Sequence, residues 1–206
     1  MITPKMFGDR GRKRAIKLGI DPDRLPPGQS PSVKFPVFTY KGVPKLSSSS
    51  LTINGDVEEP ITFTDDELRA LPRVEQTSDF HCVTRWSQFD MRFGGVRARD
   101  LIERVRPRPS ATHVVAHCHD GYTTNLPLEI VLAGDVLIAD TYDGAPLTPD
   151  HGFPRRLLVP ARYGWKSAKW LVRLQLLNHD VPGFWERNGY HNDGDPWLEQ
   201  RHAPYR

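Results

Sequence analysis

Phe80-His81-Cys82-Val83-Thr84-Arg85-Trp86-Ser87 and, further along, Arg156-Leu157-Leu158-Val159-Pro160-Ala161-Arg162-Tyr163-Gly164-Trp165-Lys166-Ser167-Ala168-Lys169-Trp170 are the stretches on which fold and function both turn. In the first, a thiol sits between an imidazole and the guanidinium of Arg85. Cationic neighbours favour the thiolate, the form that attacks electrophiles and binds soft metals. A lone cysteine is more often a small buried hydrophobe. Here it follows the polar Thr77-Ser78-Asp79 and precedes Trp86, a setting that suits a pocket better than a core. The second stretch places Arg156, Arg162, Lys166 and Lys169 around Gly164 and two indoles, a composition suited to an anionic planar ligand. A soft ligand and an anion-binding segment together imply a site for a metal carried on a phosphorylated cofactor.

Outward from these stretches the chain reads as many short strands and few short helices. Leu51-Thr52-Ile53 meets the turn dipeptide Asn54-Gly55 before a second strand at Ile61-Thr62-Phe63. Thr64-Asp65-Asp66-Glu67 has capping-box spacing and predicts a helix over 65–71 that stops at Pro72. A second helix is expected over Val96–Val105, ended by Pro107. His113–Cys118 reads as a strand turning at Asp120-Gly121, and Pro127 opens a short helix reaching Leu132. Val136–Thr141, Arg156–Val159 and Trp170–Leu177 read as further strands, and Pro182–Arg187 as a last short helix before a polar tail. Strands outnumber helices without alternating with them, which points to an α+β fold with mixed or antiparallel sheets. Residues 1–34 are expected to be a polar extension with a short helix near Arg12–Gly19, and the domain to run over 35–206. Lys45–Ser50 is expected as a surface loop.

Three further constellations carry chemistry. His117-Cys118-His119, taken with His81-Cys82, contains zinc-ligand types. Adjacent residues on a strand point to opposite faces, however, and structural zinc uses ligand pairs two to four residues apart. Asp150-His151-Gly152-Phe153-Pro154-Arg155-Arg156 forms a tight loop entering a strand, with Arg156 placed as a phosphate clamp. Gly164 allows a close backbone approach to a ligand, and Ser167 and Lys169 share one face of an extended segment. Trp165 and Trp170 read as core or pocket wall. No Gly-rich phosphate loop of the nucleotide-binding kinds occurs.

The bulk composition sets limits. With 28 Lys and Arg against 25 Asp and Glu, mixed along the chain, the net charge of +3 makes no nucleic-acid-binding field. Two cysteines in 206 residues are no disulfide scaffold. The basic run Gly8–Arg14 is followed by no long apolar segment, so neither a signal peptide nor a membrane span is expected, and the cytoplasm is the expected location.

At these residues the chain resembles the sulfite-oxidase-like, molybdopterin-dependent oxidoreductases. Phe35-Pro36-Val37, Leu51–Val57, Asp79–Ser87, His117–Leu128 and Pro146–Trp170 fall in that family's order, over roughly 35–200. The resemblance implies a sulfite-oxidase-type α+β fold around one molybdenum on one molybdopterin, with Cys82 as the sole protein ligand of the metal. It implies cofactor-binding roles for His151, Arg156, Ser167, Ala168 and Lys169, and for His117, Phe38 and Thr39. Such a site transfers an oxygen atom to or from a small sulfite- or sulfoxide-like substrate and exchanges two electrons with a separate donor or acceptor. Arg85, Trp86 and Tyr122 are expected at the pocket mouth. After Cys82 the chain has Val83-Thr84-Arg85-Trp86 where true sulfite oxidases are Arg-rich, which argues against sulfite. Two other readings stand beside this one: a molybdopterin-binding carrier module without turnover, and a metal-free thiol enzyme using Cys82 with a His base.

Overall fold

The computed structural model describes residues 4–39, 41–46 and 49–204. Helix α1 (Pro4–Lys17) is longer than the sequence led one to expect, and begins earlier. It closes on Gly19, whose φ of 71° lets the Gly19 and Ile20 amides reach back to the Ile16 and Ala15 carbonyls. This segment packs on the body. Ala15 and Leu25 are buried, and strand β1 (Ser30–Pro31) pairs in parallel with Trp86 and Ser87.

Strands β2 (Leu51–Gly55) and β3 (Ile61–Phe63) form the expected hairpin, pairing Leu51 with Phe63 and Ile53 with Ile61. Asn54-Gly55 is not its turn. Gly55 instead ends β2, with φ 98°, so close to the neighbouring strand that a Cβ would lie 2.1 Å from the Leu176 carbonyl oxygen. The capping box forms as read: Thr64 Oγ1 accepts from the Glu67 amide and Glu67 accepts from the Thr64 amide, opening α2 (Asp65–Ala70). The loop expected over 45–50 includes residues 47–48, which lie outside the described residues.

The largest departure follows. Strands β4 (Val74–His81) and β5 (Trp86–Arg97) make a long antiparallel hairpin where no strands were expected. Its polar positions fooled the pattern: Glu75, Thr77 and Asp79 alternate with inward residues, as a half-buried strand requires. Strand β5 then runs straight into α3 (Ala98–Ile102), so Val96 is strand and the expected helix is short, finishing as a 3-10 turn over Glu103–Val105. Next come β6 (His113–Cys118), β7 (Thr123–Pro127), α4 (Leu128–Val131), β8 (Leu137–Tyr142), β9 (Ala145–Pro146), β10 (Arg156–Leu158), β11 (Leu171–Leu177) and α5 (Phe184–Arg187).

Two mixed sheets result. In one, β1, β5, β8 and β10 lie in that order, with β4 on β5 and β9 on β8. The other has the order β3-β2-β11-β6-β7. In both sheets one parallel pair (β1 with β5, β2 with β11) sits among antiparallel ones, the α+β arrangement expected. Leu51, Ile53, Leu101, Leu174 and Leu176 belong to the main core; Phe80, Met91, Phe93 and Leu158 form a second cluster beneath the β4–β5 hairpin. Among the described residues, no helix is long and apolar enough to cross a membrane.

Candidate active site

Cys82 stands at the tip of the β4–β5 hairpin. The Cys82 amide donates to the Trp86 carbonyl and the Arg85 amide donates to the Cys82 carbonyl, giving a three-residue loop that ends on a left-handed residue. That residue is Arg85, with φ 73°, where glycine is usual. The turn thrusts Cys82, Val83 and Thr84 into a cavity of about 340 Å³. Phe80 and Trp86 from the hairpin, Tyr122 from the β6–β7 turn, and Trp165 and Trp170 from the loop before β11 wall it.

Basic side chains line the same cavity. Arg156, on β10, is buried; its two Nη groups donate to the His151 carbonyl (3.2 Å) and the Ser167 carbonyl (2.9 Å). Its guanidinium lies 5.7 Å from the centre of the Phe35 ring and 5.4 Å from that of Phe80. Lys169 donates to the Phe38 and Asp150 carbonyls, each at 2.8 Å, and packs over Trp170. The His151 ring stacks on Phe35 with centroids 4.1 Å apart. Burial is the main cause that pushes Arg156 down to about 10 and Lys169 down to about 8, and the two cations lying close together lower Lys169 further. Unfavourable burial of this kind is relieved by an anion.

Of the residues singled out from the sequence, Cys82, Phe38, Thr39, His151, Arg156, Ser167, Ala168 and Lys169 all line this cavity, as do Trp86 and Tyr122. His117 does not. Its ring sits among Gln175 Oε1 (3.0 Å) and the Arg173 guanidinium (3.0 Å) on the β6–β11 pair. Arg85 does not line it either: its half-exposed side chain turns to Glu199, 3.9 Å away. Tyr122 contributes its ring but no free donor, because its hydroxyl donates to the Trp165 carbonyl at 2.8 Å. Gly164 is required by packing, since a Cβ there would lie 2.4 Å from the Phe80 ring.

The expected activation of Cys82 by its sequence neighbours is also corrected. His81 is buried on the other side of the strand, hydrogen-bonded to Ser87 Oγ at 2.8 Å and pushed down to about 4 by burial, so it is uncharged. Burial raises the Cys82 thiol. The hydrogen bond with Thr84 Oγ1 (3.2 Å) and the charge of Arg201 oppose that rise. No base contacts the sulfur among the described residues, which removes the geometry a metal-free thiol enzyme needs. Trp185 and Tyr190, stacked with centroids 4.9 Å apart, complete the wall near Cys82. They fall in the stretch read as the last helix and polar tail, where Phe184, Trp185 and Tyr190 were the available signal.

Two unpartnered buried donors, Arg156 Nε and Trp86 Nε1, belong to residues of this cavity. A soft sulfur, basic groups and aromatic walls lining one cavity fit an anionic, flat cofactor bearing a soft metal. That donor set suits a protein that carries such a cofactor. The sequence model of the oxidoreductase molybdopterin binding domain matches residues 40–185, and the chain belongs to that family. It is a molybdopterin-dependent oxidoreductase, with molybdenum on the pterin as its cofactor. The chain is 45% identical over 181 residues to the uncharacterized oxidoreductase YuiH of Bacillus subtilis, covering 86% of this chain and 91% of that protein. It is 31% identical over 178 residues to YedZ1 of Azospira oryzae, named for a subunit of a protein-methionine-sulfoxide reductase, covering 82% and 68%. The fold is shared with the sulfane dehydrogenase SoxCD of Paracoccus pantotrophus (TM-score 0.64, 24% identity), over 76% of this chain and 47% of that one.

Proposed function

We propose that the protein transfers an oxygen atom, with two electrons, between its molybdenum centre and a small uncharged S-oxide or N-oxide-like substrate, and that a separate redox partner supplies or removes the electrons. The observation that carries this reading is the polarity of the cavity. His151, Arg156 and Lys169 gather against Phe35 and Phe38, whereas Val83 and Thr84, which line the cavity next to Cys82, are uncharged. When bound, the cofactor supplies the two-electron change and the site of oxygen exchange.

The chain's residues divide the remaining work. Cys82 ligates the metal through its sulfur. Arg156 and Lys169 neutralise the cofactor's phosphate, Arg156 Nε being the donor with no protein partner. Phe38, Thr39, His151, Ser167 and Ala168 shape the pterin's bed. Ser167 holds that bed rigid, its Oγ accepting from the Val159 amide at 2.9 Å. Beside Cys82, substrate meets Val83, Thr84, Trp86, Trp185 and Tyr190. None of these is charged, so an oxyanion such as sulfite would find no cation among them to replace its hydration.

The test is made on protein from a host that makes the pterin. Molybdenum content and spectrum are compared for wild type and Cys82→Ser, and reduction of sulfoxides and N-oxides by a reduced viologen is compared with oxidation of sulfite by ferricyanide. Near-stoichiometric molybdenum, an altered spectrum in the variant and preference for the uncharged oxides are expected. Sulfite oxidation with the higher kcat/KM would reverse the substrate assignment.

A further inference from the structure

The turn that carries Cys82 is held by parts of the chain that the family match, at 40–185, does not include. From the N-terminal side, Gln29 Nε2 donates to the Cys82 carbonyl at 3.0 Å, and the Ser30 amide donates to the Arg85 carbonyl at 3.0 Å. From the C-terminal side, Arg201 Nη1 donates to the Val83 carbonyl at 2.6 Å, and its Nη2 donates to the Pro27 carbonyl at 3.2 Å. One guanidinium thus ties the turn and the N-terminal segment together.

Both side chains are themselves fixed. Gln29 is 1% exposed, and α1 presses against it so closely that a Cβ on Gly11 would lie 2.1 Å from the Gln29 carbonyl oxygen. Arg201 is 5% exposed and lies over the Tyr163 ring, 4.9 Å from its centre. Gly28, with φ 68°, leaves room that a Cβ would take from Glu199 and Arg85. A non-glycine residue held left-handed, as Arg85 is, persists only where its surroundings over-determine it. Three of the turn's four carbonyls, those of Cys82, Val83 and Arg85, are the anchors that do so here.

We infer that Gln29 and Arg201 are positioning residues for Cys82, forming a clamp built from both ends of the chain that sets where the thiol enters the cavity. Its bearing on the metal rests on Cys82 being the ligand; the geometry of the clamp does not.

The experiment uses the full chain, purified without cofactor from a host that makes no pterin and alkylated with iodoacetamide, with labelling at Cys82 and Cys118 resolved by peptide mass. Cys118 is buried in the main core and reports opening of the whole fold. Gln29→Met removes the donor at similar volume, and Arg201→Lys keeps the charge while losing the two-carbonyl fork. Each is expected to speed labelling of Cys82 roughly tenfold, the effect of losing one buried hydrogen bond on local opening, with Cys118 unchanged. A Cys82 rate within about twofold of wild type, or a Cys118 rate rising in step with it, would overturn the clamp. In the cofactor-loaded protein the same variants are expected to shift the metal's paramagnetic resonance spectrum. Faster alkylation with an unshifted spectrum would leave the clamp standing and sink Cys82 as ligand.

Discussion

Replacing Lys166 with Met tests how the cavity wall is supported. The Lys166 ammonium is fully buried and donates to the carbonyls of Asn125 (2.7 Å) and Asn192 (2.7 Å), and to Glu186 Oε1 at 2.6 Å. The same carboxylate oxygen accepts from Thr124 Oγ1 and from the indole of Trp165, each at 2.9 Å, and Trp165 is a wall of the cavity. Without the ammonium, Glu186, a side chain that is 1% exposed, is left with two neutral donors and one unpartnered oxygen. Breaking one side of such a buried pair costs about 3–5 kcal/mol. For a chain of this size each kcal/mol moves the melting temperature by about 2–4 °C, so a fall of roughly 6–20 °C is expected. Calorimetry on wild type, Lys166→Met, Glu186→Gln and the double variant measures it. The double variant, with no charge left to strand, should recover a coupling of about 2 kcal/mol or more. A single-variant loss below about 1 kcal/mol, or simple addition of the two losses, would refute the view that this pair holds the wall.

Other expectations are narrower. Gly164→Ala should drive the Phe80 ring off its site, costing about 1–3 kcal/mol and lowering molybdenum content, as denaturant melts and metal analysis would show. Burial and nearby Arg156 hold Lys169 down at about 8, so between there and the ordinary 10.5 the unfolded chain binds the extra proton. Cofactor-free protein should therefore gain stability as pH rises through that window. Retention of the anionic cofactor on dialysis should fall across it, and Lys169→Arg should flatten that fall. Thr64→Ala removes the cap of α2 and should cost about 1 kcal/mol by thermal melt without changing metal content.

What the sequence made legible was local or chemically dense. The α2 cap was visible because Thr64 and Glu67 satisfy each other across one turn. Of the four cations in 156–169, Arg156 and Lys169 do meet, across the β10 contact, but Arg162 and Lys166 pair with Asp193 and Glu186 outside the cavity lining, which their closeness in sequence did not reveal. The β4–β5 hairpin was not visible, since a strand with one exposed polar face shows little hydrophobic signal. The environment of Cys82 was misread for a related reason. At a hairpin tip the adjacent side chains diverge, and the contacts that matter come from Gln29, Tyr190 and Arg201, far off along the chain. His117 shows the converse: it resembles a cavity residue in sequence, but strand alternation sends it to Gln175 and Arg173.

The bond from Arg201 to the Val83 carbonyl spans 118 residues of sequence. On the ribosome, the hairpin carrying Cys82 emerges long before the side chain that fastens it. Chains grow at about 5–20 residues per second, so the loop waits for several seconds at least with that fastening unmade. During this interval the Val83 carbonyl is without its Arg201 donor. A truncated product ending before Arg201 would present Cys82 without the bond to the Val83 carbonyl.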